Sequence, residues 1–343
     1  MSRYLRQETL FGPANQDKLA AAHVVVLGAG GLGSPALAYL AAAGVGRLTI
    51  IDDDTVEISN LHRQVIHPTS AVGLLKADSA ARTLAALNPE ITVTAVARRL
   101  TPDNADELLR GADLVLDGTD NFATRHLAST ACARAGIPHV WGSILGWQAQ
   151  LSVFWADHGP VYEDLYPSPP PAGSVPSCAQ AGVLGPVVGV VGSAMAMEAL
   201  KLITGLGEPL IGRVAYYDSL QATWEHIPLV ADPQVTHRTR EGLPPGLTPQ
   251  VEDIPAGIAL IDVREPDEFA RGAIPGARNV PLSRIEAATP TERAGLIAAP
   301  AVVYCQAGVR SERAVELLDT PGIVSYRGGF ERWLAAANSS GVS

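Results

Sequence analysis

The chain has 343 residues, 47% of them hydrophobic, and a formal net charge of −10 at pH 7. A chain of this length is longer than one ordinary hydrophobic core can accommodate, so we predict two domains. The net negative charge argues against binding to nucleic acid or to an anionic membrane surface, since both require clustered Lys and Arg. The three cysteines are too few for a disulfide framework, so we expect a reducing, cytoplasmic setting.

Neither the N-terminus nor the longest apolar run predicts a membrane segment. The first ten residues are charged and lack the apolar core of a signal peptide. The longest apolar run, residues 183–202, is broken by Gly and Pro and carries Glu198 and Lys201. We therefore expect a buried helix there rather than a membrane span.

In chain order, the first half alternates between apolar strands and helical patterns. Such alternation is typical of a doubly wound parallel sheet. From Gly146 the pattern changes, and residues 150–155 predict antiparallel strands that extend it into a mixed sheet. Strands are predicted at 23–28, 47–52, 91–96, 114–117 and 139–143, and helices at 34–43, 76–87, 103–109 and 124–135.

A second pattern of strands and helices begins near residue 249. Residues 232–248 combine Pro, Gly and polar side chains and are interpreted as a linker. Beyond them, strands at 258–262 and 301–305 and a helix at 311–318 predict a smaller α/β domain. The expected organisation is a domain of residues 1–231, a linker of 232–248 and a domain of 249–343.

A glycine-rich loop, Gly28-Ala29-Gly30-Gly31-Leu32-Gly33, follows the first strand and opens the first helix of the alternating pattern. Glycines allow a tight turn and bring phosphates close to backbone N–H groups at a helix N-terminus. Asp52 ends the next strand, where a carboxylate can accept hydrogen bonds from ribose hydroxyls. This motif alone leaves NAD, FAD and ATP open, and the structural alternative is a turn that binds nothing.

Polar and cationic residues further along favour ATP. Asn60, Arg63, Gln64 and Lys76 follow the ribose position, and Asp120 comes after the fourth strand, where it could hold Mg²⁺. A triphosphate attacked at its α-phosphate needs such cations and a metal-binding carboxylate, whereas hydride transfer needs neither. Each residue alone would be an ordinary surface charge, but together and in this order they favour ATP.

These motifs, with Arg3-Tyr4-Leu5-Arg6-Gln7 and Thr119-Asp120-Asn121, resemble the MoeB/ThiF family of prokaryotic relatives of ubiquitin-activating enzymes, from about residue 3 to 229. The resemblance implies ATP- and Mg²⁺-dependent adenylation of the C-terminal glycine of a ubiquitin-like sulfur carrier ending in Gly-Gly, in a homodimer. Adenylation makes chemical sense, because AMP is a good leaving group and oxide is not. The implied roles are phosphate contacts for Asn60, Arg63 and Lys76, ribose for Asp52, metal for Asp120, and the partner subunit's nucleotide site for Arg6.

The cysteine pattern of this chain departs in part from that of the family it resembles. Cys178 matches a family cysteine that attacks the activated carrier or joins a disulfide-linked intermediate, although a small buried residue is the structural alternative. Cys132, inside a helical stretch, is expected to be structural. Family members often hold zinc with two Cys-x-x-Cys pairs, but residues 161–164 and 235–238 contain no cysteine. We therefore expect no structural zinc, and ordinary roles for His158, His226 and His237.

The second domain resembles a rhodanese from about residue 249 to 333. The resemblance rests on residues 262–265, 272–277 and 327–333 and on the loop Cys305-Gln306-Ala307-Gly308-Val309-Arg310. Loop N–H groups and Arg310 would stabilise a thiolate or persulfide at Cys305. Four residues separate Cys305 from Arg310, which suits a sulfur-sized site, whereas related phosphatase loops have five. Ala273 departs from the usual His.

The combined hypothesis is an adenylyltransferase and sulfurtransferase that converts the carrier's C-terminus to a thiocarboxylate. Sulfur would reach Cys305 from a donor such as a cysteine desulfurase or thiosulfate. Two alternatives remain open: a nicotinamide- or flavin-dependent oxidoreductase with an accessory rhodanese, and a non-catalytic carrier-binding module with decayed sites. The carrier and its pathway are not identified by the sequence.

Overall fold

The computed structural model describes residues 2–170, 181–242, 244 and 248–339. The chain divides into two units, Met1–Pro245 and Gly246–Ser343. Each unit has its own sheet, so both predicted α/β patterns correspond to separate cores.

The first unit contains eight strands in one mixed sheet, in the order β3-β2-β1-β4-β5-β6-β7-β8. Its first five strands run parallel, and β6, β7 and β8 continue it antiparallel. Buried β-branched runs such as Val24-Val25-Val26 suit strands covered on both faces. The strands are β1 His23–Leu27, β2 Arg47–Ile51, β3 Thr92–Val96, β4 Leu114–Asp117, β5 His139–Leu145, β6 Gln148–Phe154, β7 Arg213–Asp218 and β8 Thr223–Pro228.

Helices surround this sheet as a doubly wound fold requires. The order in which successive strands are added to the sheet reverses between β1 and β4, and ligands bind beyond the carboxyl ends of the strands at such a point. The predicted mixed Rossmann-like sheet is confirmed. The helices are α1 Leu5–Phe11, α2 Pro13–Ala21, α3 Gly33–Ala43, α4 Lys76–Leu87, α5 Ala105–Leu108, α6 Phe122–Ala135, α7 Tyr162–Leu165, α8 Gly185–Thr204 and α9 Pro233–Glu241.

Helix α8 is the one helix among the described residues that is long and apolar enough to span a membrane by length and composition. Its residues Val188, Val191 and Met195 belong to the main core of the first unit. Gly192 permits close packing, since a Cβ there would lie 2.4 Å from the carbonyl oxygen of Leu32. This packing agrees with the prediction of a buried helix.

Residues 232–248 are predicted to be a linker, but residues 233–241 of that stretch form helix α9. Asp232 accepts a hydrogen bond from Gln234 N at 2.8 Å and Pro233 takes the first helical position, a combination that starts helices. Arg240 donates to Ala133 O at 3.1 Å and pairs with Asp157 at 2.6 Å. These contacts hold the helix on the first unit.

A buried carboxylate joins three helices near this point. Glu163 on α7 accepts hydrogen bonds from His126 Nδ1 at 2.8 Å and Ser129 Oγ at 2.7 Å, both on α6. Thr239 Oγ1 on α9 donates to the same carboxylate at 3.3 Å. Because buried polar groups require partners, this network fixes the position of α7 and α9 on α6.

The second unit is a five-stranded parallel sheet in the order β11-β10-β12-β13-β9, with apolar clusters on both faces. The predicted smaller α/β domain is confirmed. Its elements are β9 Gln250–Val251, β10 Ala259–Asp262, α10 Pro266–Ala270, β11 Arg278–Asn279, α11 Leu282–Ala287, α12 Pro290–Arg293, β12 Ala301–Tyr304, α13 Val309–Leu318, β13 Ile323–Tyr326 and α14 Gly329–Ser339.

Candidate active sites

A cavity of about 860 Å³ opens at the carboxyl ends of β1, β2 and β4 in the first unit. Its volume is in the range typical of small-molecule sites. Most of the residues predicted to bind a nucleotide line it. They are Gly28, Gly30, Gly31, Asp52, Arg63, Gln64, Lys76 and Asp120.

The glycine loop is shaped by two close backbone approaches. Gly28 has φ +87°, which favours glycine, and a Cβ there would lie 3.4 Å from Gly118 O. Gly33 begins α3, and a Cβ there would lie 1.9 Å from Gly28 O. Gly33 does not line the cavity, so the structure assigns it to packing of the loop rather than to direct ligand contact.

Asp52 ties the glycine loop to the end of β2. Its Oδ2 accepts from Ala29 N at 2.8 Å and its Oδ1 from Asp54 N at 2.9 Å. Burial raises the pKa of Asp52, and the two hydrogen bonds and nearby Lys76 oppose that shift. A carboxylate held this way keeps further lone pairs for a ligand's hydroxyl groups.

Two cationic side chains and one amide face the cavity. Lys76 is 8% exposed and its Nζ lies 2.9 Å from Asp54 Oδ2. Arg63 donates to Ser59 O at 3.1 Å and has no carboxylate within ion-pair distance among the described residues. Gln64 is buried, and its Oε1 has no hydrogen-bond partner in the described part of the chain. An acceptor left in this state suits a ligand that brings a donor.

Among the predicted site residues, Asp120 lines the cavity, whereas Asn60 and Arg6 do not. Asp120 lines the cavity and is exposed, just before α6. Asn60 is buried beside the cavity without lining it, and its Oδ1 accepts from Glu57 N at 3.1 Å. Arg6 is exposed on α1 and does not line the cavity of its own chain.

Arg125 is a cavity residue that the sequence patterns did not reveal. It is 6% exposed and donates to Thr119 O through Nε at 3.2 Å and Nη2 at 2.8 Å. Its guanidinium lies 5.3 Å from the centre of the Phe122 ring. No carboxylate lies within ion-pair distance of it in the described ranges, which is unusual for a buried arginine. Arg125 lies in the first turn of α6, which begins directly after Asn121, and this position was the available signal.

Arg98 and Arg99 were also missed. Both follow β3 and line the cavity, and Arg99 Nε lies 3.1 Å from Asp53 Oδ2. Their position after a parallel strand was the signal, because carboxyl ends of parallel strands meet at one edge. They add positive charge to a site already lined by Arg63, Lys76 and Arg125.

Cys305 follows β12 in the second unit and is 2% exposed. Its Sγ accepts from Gly308 N at 3.1 Å, and Ser311 Oγ lies 3.7 Å away. Gly308 has φ +105°, and α13 begins at the next residue. The loop therefore directs the N–H of Gly308 at the sulfur, at the N-terminal end of α13.

Two further contacts hold this loop from behind. Phe330 N donates to Cys305 O at 2.8 Å, and Gly329 permits the approach because a Cβ there would lie 2.4 Å from the same oxygen. Arg264 is buried, pairs with Asp262 at 2.7 Å and donates to Gln306 Oε1 at 3.1 Å. The segment 262–265 that supported the rhodanese resemblance thus braces the cysteine loop.

Cys178 lies outside the described residues. Cys132 is buried, and burial raises the pKa of its thiol well above the ordinary value. The ring of His158 stacks on Trp155 at 3.9 Å. In the described ranges, no three His, Cys, Asp or Glu side chains are grouped in a way that could hold a metal ion.

A nucleotide-sized cavity at the switch point of a mixed sheet, together with a cysteine loop on a parallel sheet, defines a two-site transferase. The ThiF family profile matches residues 4–238, and the profile of the rhodanese-like domain matches residues 250–336. The chain belongs to the ThiF family and carries a C-terminal rhodanese-like domain.

Two of the curated relatives match nearly the whole chain, and a third matches about two thirds of it. The chain is 43% identical to "Probable adenylyltransferase/sulfurtransferase MoeZ" of Mycobacterium tuberculosis, covering 97% of this chain and 92% of the relative. It is 37% identical to "Adenylyltransferase and sulfurtransferase UBA4" of Yarrowia lipolytica, covering 96% and 92%. A Thermus thermophilus "Sulfur carrier protein adenylyltransferase" is 48% identical over 68% of this chain and 89% of the relative. The chain is accordingly an enzyme, an adenylyltransferase and sulfurtransferase.

Solved structures agree on the fold of the first unit. Crystal structures of MccB from E. coli match with TM-scores near 0.6. The one described as containing ATP has a TM-score of 0.61 at 25% identity, covering 68% of this chain and 73% of that chain. This likeness supports the fold assignment.

Proposed function

We propose that the first unit binds ATP and Mg²⁺ and adenylates the C-terminal glycine of a ubiquitin-like sulfur carrier ending in Gly-Gly. The observation that carries this proposal is the cavity that gathers the glycine loop, Asp52, Arg63 and Lys76 at one sheet edge. Asp52 suits ribose hydroxyls, Arg63 and Lys76 suit phosphates, and Asp120 suits Mg²⁺. Mg²⁺ would neutralise charge that develops on the phosphates.

The proposed first step joins the carrier's carboxylate to the nucleotide. A carboxylate oxygen attacks the α-phosphorus, the bond to the β-phosphate oxygen breaks, and pyrophosphate leaves. Cationic side chains and backbone N–H groups favour this step because they are already oriented toward negative charge. Gln64, with its unpartnered Oε1, would accept a hydrogen bond from the bound substrates.

The second unit would supply sulfur through a persulfide on Cys305. The terminal persulfide sulfur attacks the carrier's carbonyl carbon, and AMP leaves with the electron pair of the broken C–O bond. A thiolate then attacks Cys305 Sγ, breaks the S–S bond and releases the carrier thiocarboxylate. Cys178 is proposed for this role, and an external thiol would reduce the resulting disulfide. The sulfur donor would be a cysteine desulfurase or thiosulfate.

A homodimer is proposed because of how α1 is anchored. Tyr4 OH accepts from Asn88 at 2.8 Å, and Gln7 donates to Ala43 O at 2.8 Å, which fixes α1 on the unit. Arg6 lies between these anchors and is exposed, so it is available to a partner's nucleotide site. Ile58 and Val65, which flank Arg63, are 69% and 72% exposed and would be covered in such a dimer.

Mixing variants would test the shared site. Arg6→Ala and Lys76→Ala proteins, each inactive in carrier-dependent pyrophosphate exchange, should regain activity when refolded together. In the hybrid dimer one site has an intact Lys76 and receives an intact Arg6. Continued inactivity of the mixture, with hybrids confirmed by differential tags, would contradict the shared site.

The overall reaction is tested by mass spectrometry of the carrier. Protein, ATP, Mg²⁺, a cysteine desulfurase with cysteine, and a carrier ending in Gly-Gly should give the mass change for one oxygen replaced by sulfur. Cys305→Ser should retain pyrophosphate exchange and lose the mass change, whereas Cys132→Ser should retain both. A Cys305→Ser protein that still produces thiocarboxylate would rule out the proposed sulfur route.

The described cysteines, Cys132 and Cys305, are free thiols, which supports a reducing cytoplasmic location. No structural zinc is expected, because residues 161–164 supply no thiolate pair and lie instead at the start of helix α7, where Glu163 accepts a hydrogen bond from His126. Metal analysis of the purified protein would check this, and stoichiometric zinc would contradict it.

A further inference from the structure

The arginine of the cysteine loop is engaged by a carboxylate from another element. Arg310 donates through Nη1 to Glu268 Oε2 at 2.6 Å and through Nη2 to Glu268 Oε1 at 2.7 Å. The pKa of Glu268 is lowered to about 2, first by the hydrogen bond from Arg310. The pKa of Arg310 is raised, first by Glu268, with a smaller contribution from Cys305. Glu268 therefore holds the guanidinium of Arg310 in a two-point ion pair that cancels its charge.

The other arginines around the loop are paired as well. Arg264, which contacts Gln306, pairs with Asp262 at 2.7 Å. Arg327 and Arg332, from the segment that holds the loop from behind, both pair with Glu252. Among the described residues, these four arginines, with Arg310 included, share three carboxylates, because Arg327 and Arg332 both pair with Glu252. The site therefore has little net positive charge to attract an anion.

The outer surface of the loop is apolar. Residues 306–309 carry no charged side chain, and Val309 is 74% exposed. Ala307 beside it is exposed too. Glu331 places a negative charge beside the loop, where its Oε1 accepts a hydrogen bond from Gln306 Nε2 at 3.1 Å. A small dianion approaching Cys305 would meet a neutral or slightly negative, apolar surface.

We propose that Glu268 is a specificity-determining residue which, by cancelling the charge of Arg310, makes Cys305 discriminate against small anionic sulfur donors such as thiosulfate. Donors that present their sulfur beside an apolar surface are favoured. This inference rests on the proposed role of Cys305 as the sulfur-accepting residue.

Thiosulfate provides the probe for turnover. The Cys305 thiolate attacks the outer sulfur of thiosulfate, the S–S bond breaks, and sulfite leaves with its electron pair. Cyanide then takes the terminal sulfur as thiocyanate and the thiolate is restored. With Glu268→Gln, which keeps an acceptor for Arg310 and removes the charge, KM for thiosulfate should fall about threefold or more at low salt. The value of kcat should change less than KM.

Alkylation of Cys305 reads the local charge directly. Full-length protein is treated with iodoacetate, an anion, or iodoacetamide, which is neutral, and modification of Cys305 is followed by peptide mass spectrometry. Glu268→Gln should raise the rate ratio of iodoacetate to iodoacetamide by about threefold or more, and added salt should reduce the increase. Glu316→Gln is the matched control, because Glu316 lies on α13 and pairs with Arg313 at 3.1 Å rather than with Arg310. It should leave the ratio unchanged.

The outcomes separate a charge effect from a structural one. Equal changes with both reagents in Glu268→Gln, or an equal effect of Glu316→Gln, would overturn the proposal. If Glu268→Gln fails to fold, the wild-type protein decides: its ratio should not exceed that of a free cysteine peptide, and a markedly larger, salt-sensitive ratio would overturn the proposal. Alkylation does not depend on sulfur transfer, so failure of the proposed Cys305 role would appear separately, as sulfur transfer that survives Cys305→Ser.

Discussion

His67 Nε2 donates to the carbonyl oxygen of Ala29 at 2.9 Å, while the N–H of Ala29 donates to Asp52 at 2.8 Å. Both backbone groups of one residue in the glycine loop are therefore fixed by side chains from other elements. The ring is buried, and its Nδ1 lies 2.9 Å from Ser79 Oγ on α4. His67 is thus a positioning residue for the loop that faces the nucleotide cavity.

Replacing His67 by Leu should loosen the glycine loop. The change removes the donor to Ala29 O and leaves Ser79 without its partner, at a cost of about 1–3 kcal/mol in the free energy of unfolding. We expect KM for ATP in pyrophosphate exchange to rise several-fold. His226→Leu is the control, because His226 is exposed on β8. Equal KM values for the His67 variant and the wild type would contradict this role.

The same residue predicts a dependence of stability on pH. Burial lowers the pKa of His67 below its ordinary 6.5, and nearby Lys76 lowers it further. The unfolded state then binds more protons as the pH falls from 6.5 toward the lowered value, so stability present above pH 6.5 is lost over that interval. Urea unfolding at a series of pH values should show a larger loss for the wild type than for His67→Gln. Equal losses would show that other groups govern this range.

Lys76 should be essential for adenylation. Lys76→Ala removes a buried cation from the cavity, and carrier-dependent pyrophosphate exchange should fall by about 100-fold or more. Arg82→Ala is the matched control, because Arg82 is an exposed cation on the same helix. A Lys76 variant with activity close to that of the Arg82 variant would exclude Lys76 from the phosphate site.

Arg125 should resist replacement even by lysine. Its guanidinium donates to Thr119 O through two nitrogens, and a lysine ammonium cannot reproduce this planar geometry. Arg125→Lys should therefore reduce pyrophosphate exchange by about tenfold or more, since Thr119 directly precedes Asp120 at the cavity. Arg134→Lys provides a comparison on the exposed end of the same helix. Full activity of Arg125→Lys would show that charge alone suffices there.

Glu163 should contribute strongly to the stability of the first unit. Glu163→Ala leaves His126, Ser129 and Thr239 without their acceptor, and we expect a loss of about 3 kcal/mol in the free energy of unfolding. Glu208→Ala should cost about 0.5 kcal/mol or less, because the Glu208 side chain is 89% exposed. Its ion pair with Arg213 is long, at 3.8 Å, and contributes little. Similar losses in the two variants, measured by urea unfolding, would contradict the importance of the buried network.

Local sequence patterns predicted the elements closely where hydrophobic periodicity is strong. The helix over residues 76–87 was predicted with both ends correct, and the strand over 114–117 likewise. Pro and Gly predicted a linker over residues 232–248, but residues 233–241 form helix α9. Pro233 instead occupies the first helical position after the capping Asp232, where proline is favoured.

The sequence by itself determined the two α/β units, the glycine loop and the Cys305 loop, because each depends on residues close together in the chain. Only the tertiary structure decided what surrounds them. Glu163 meets Thr239 across 76 positions, and Glu268 meets Arg310 across 42. Such pairs form when sheet order and helix packing bring distant segments together, and no local pattern records that. The charge at Cys305 is therefore a property of the fold rather than of its loop.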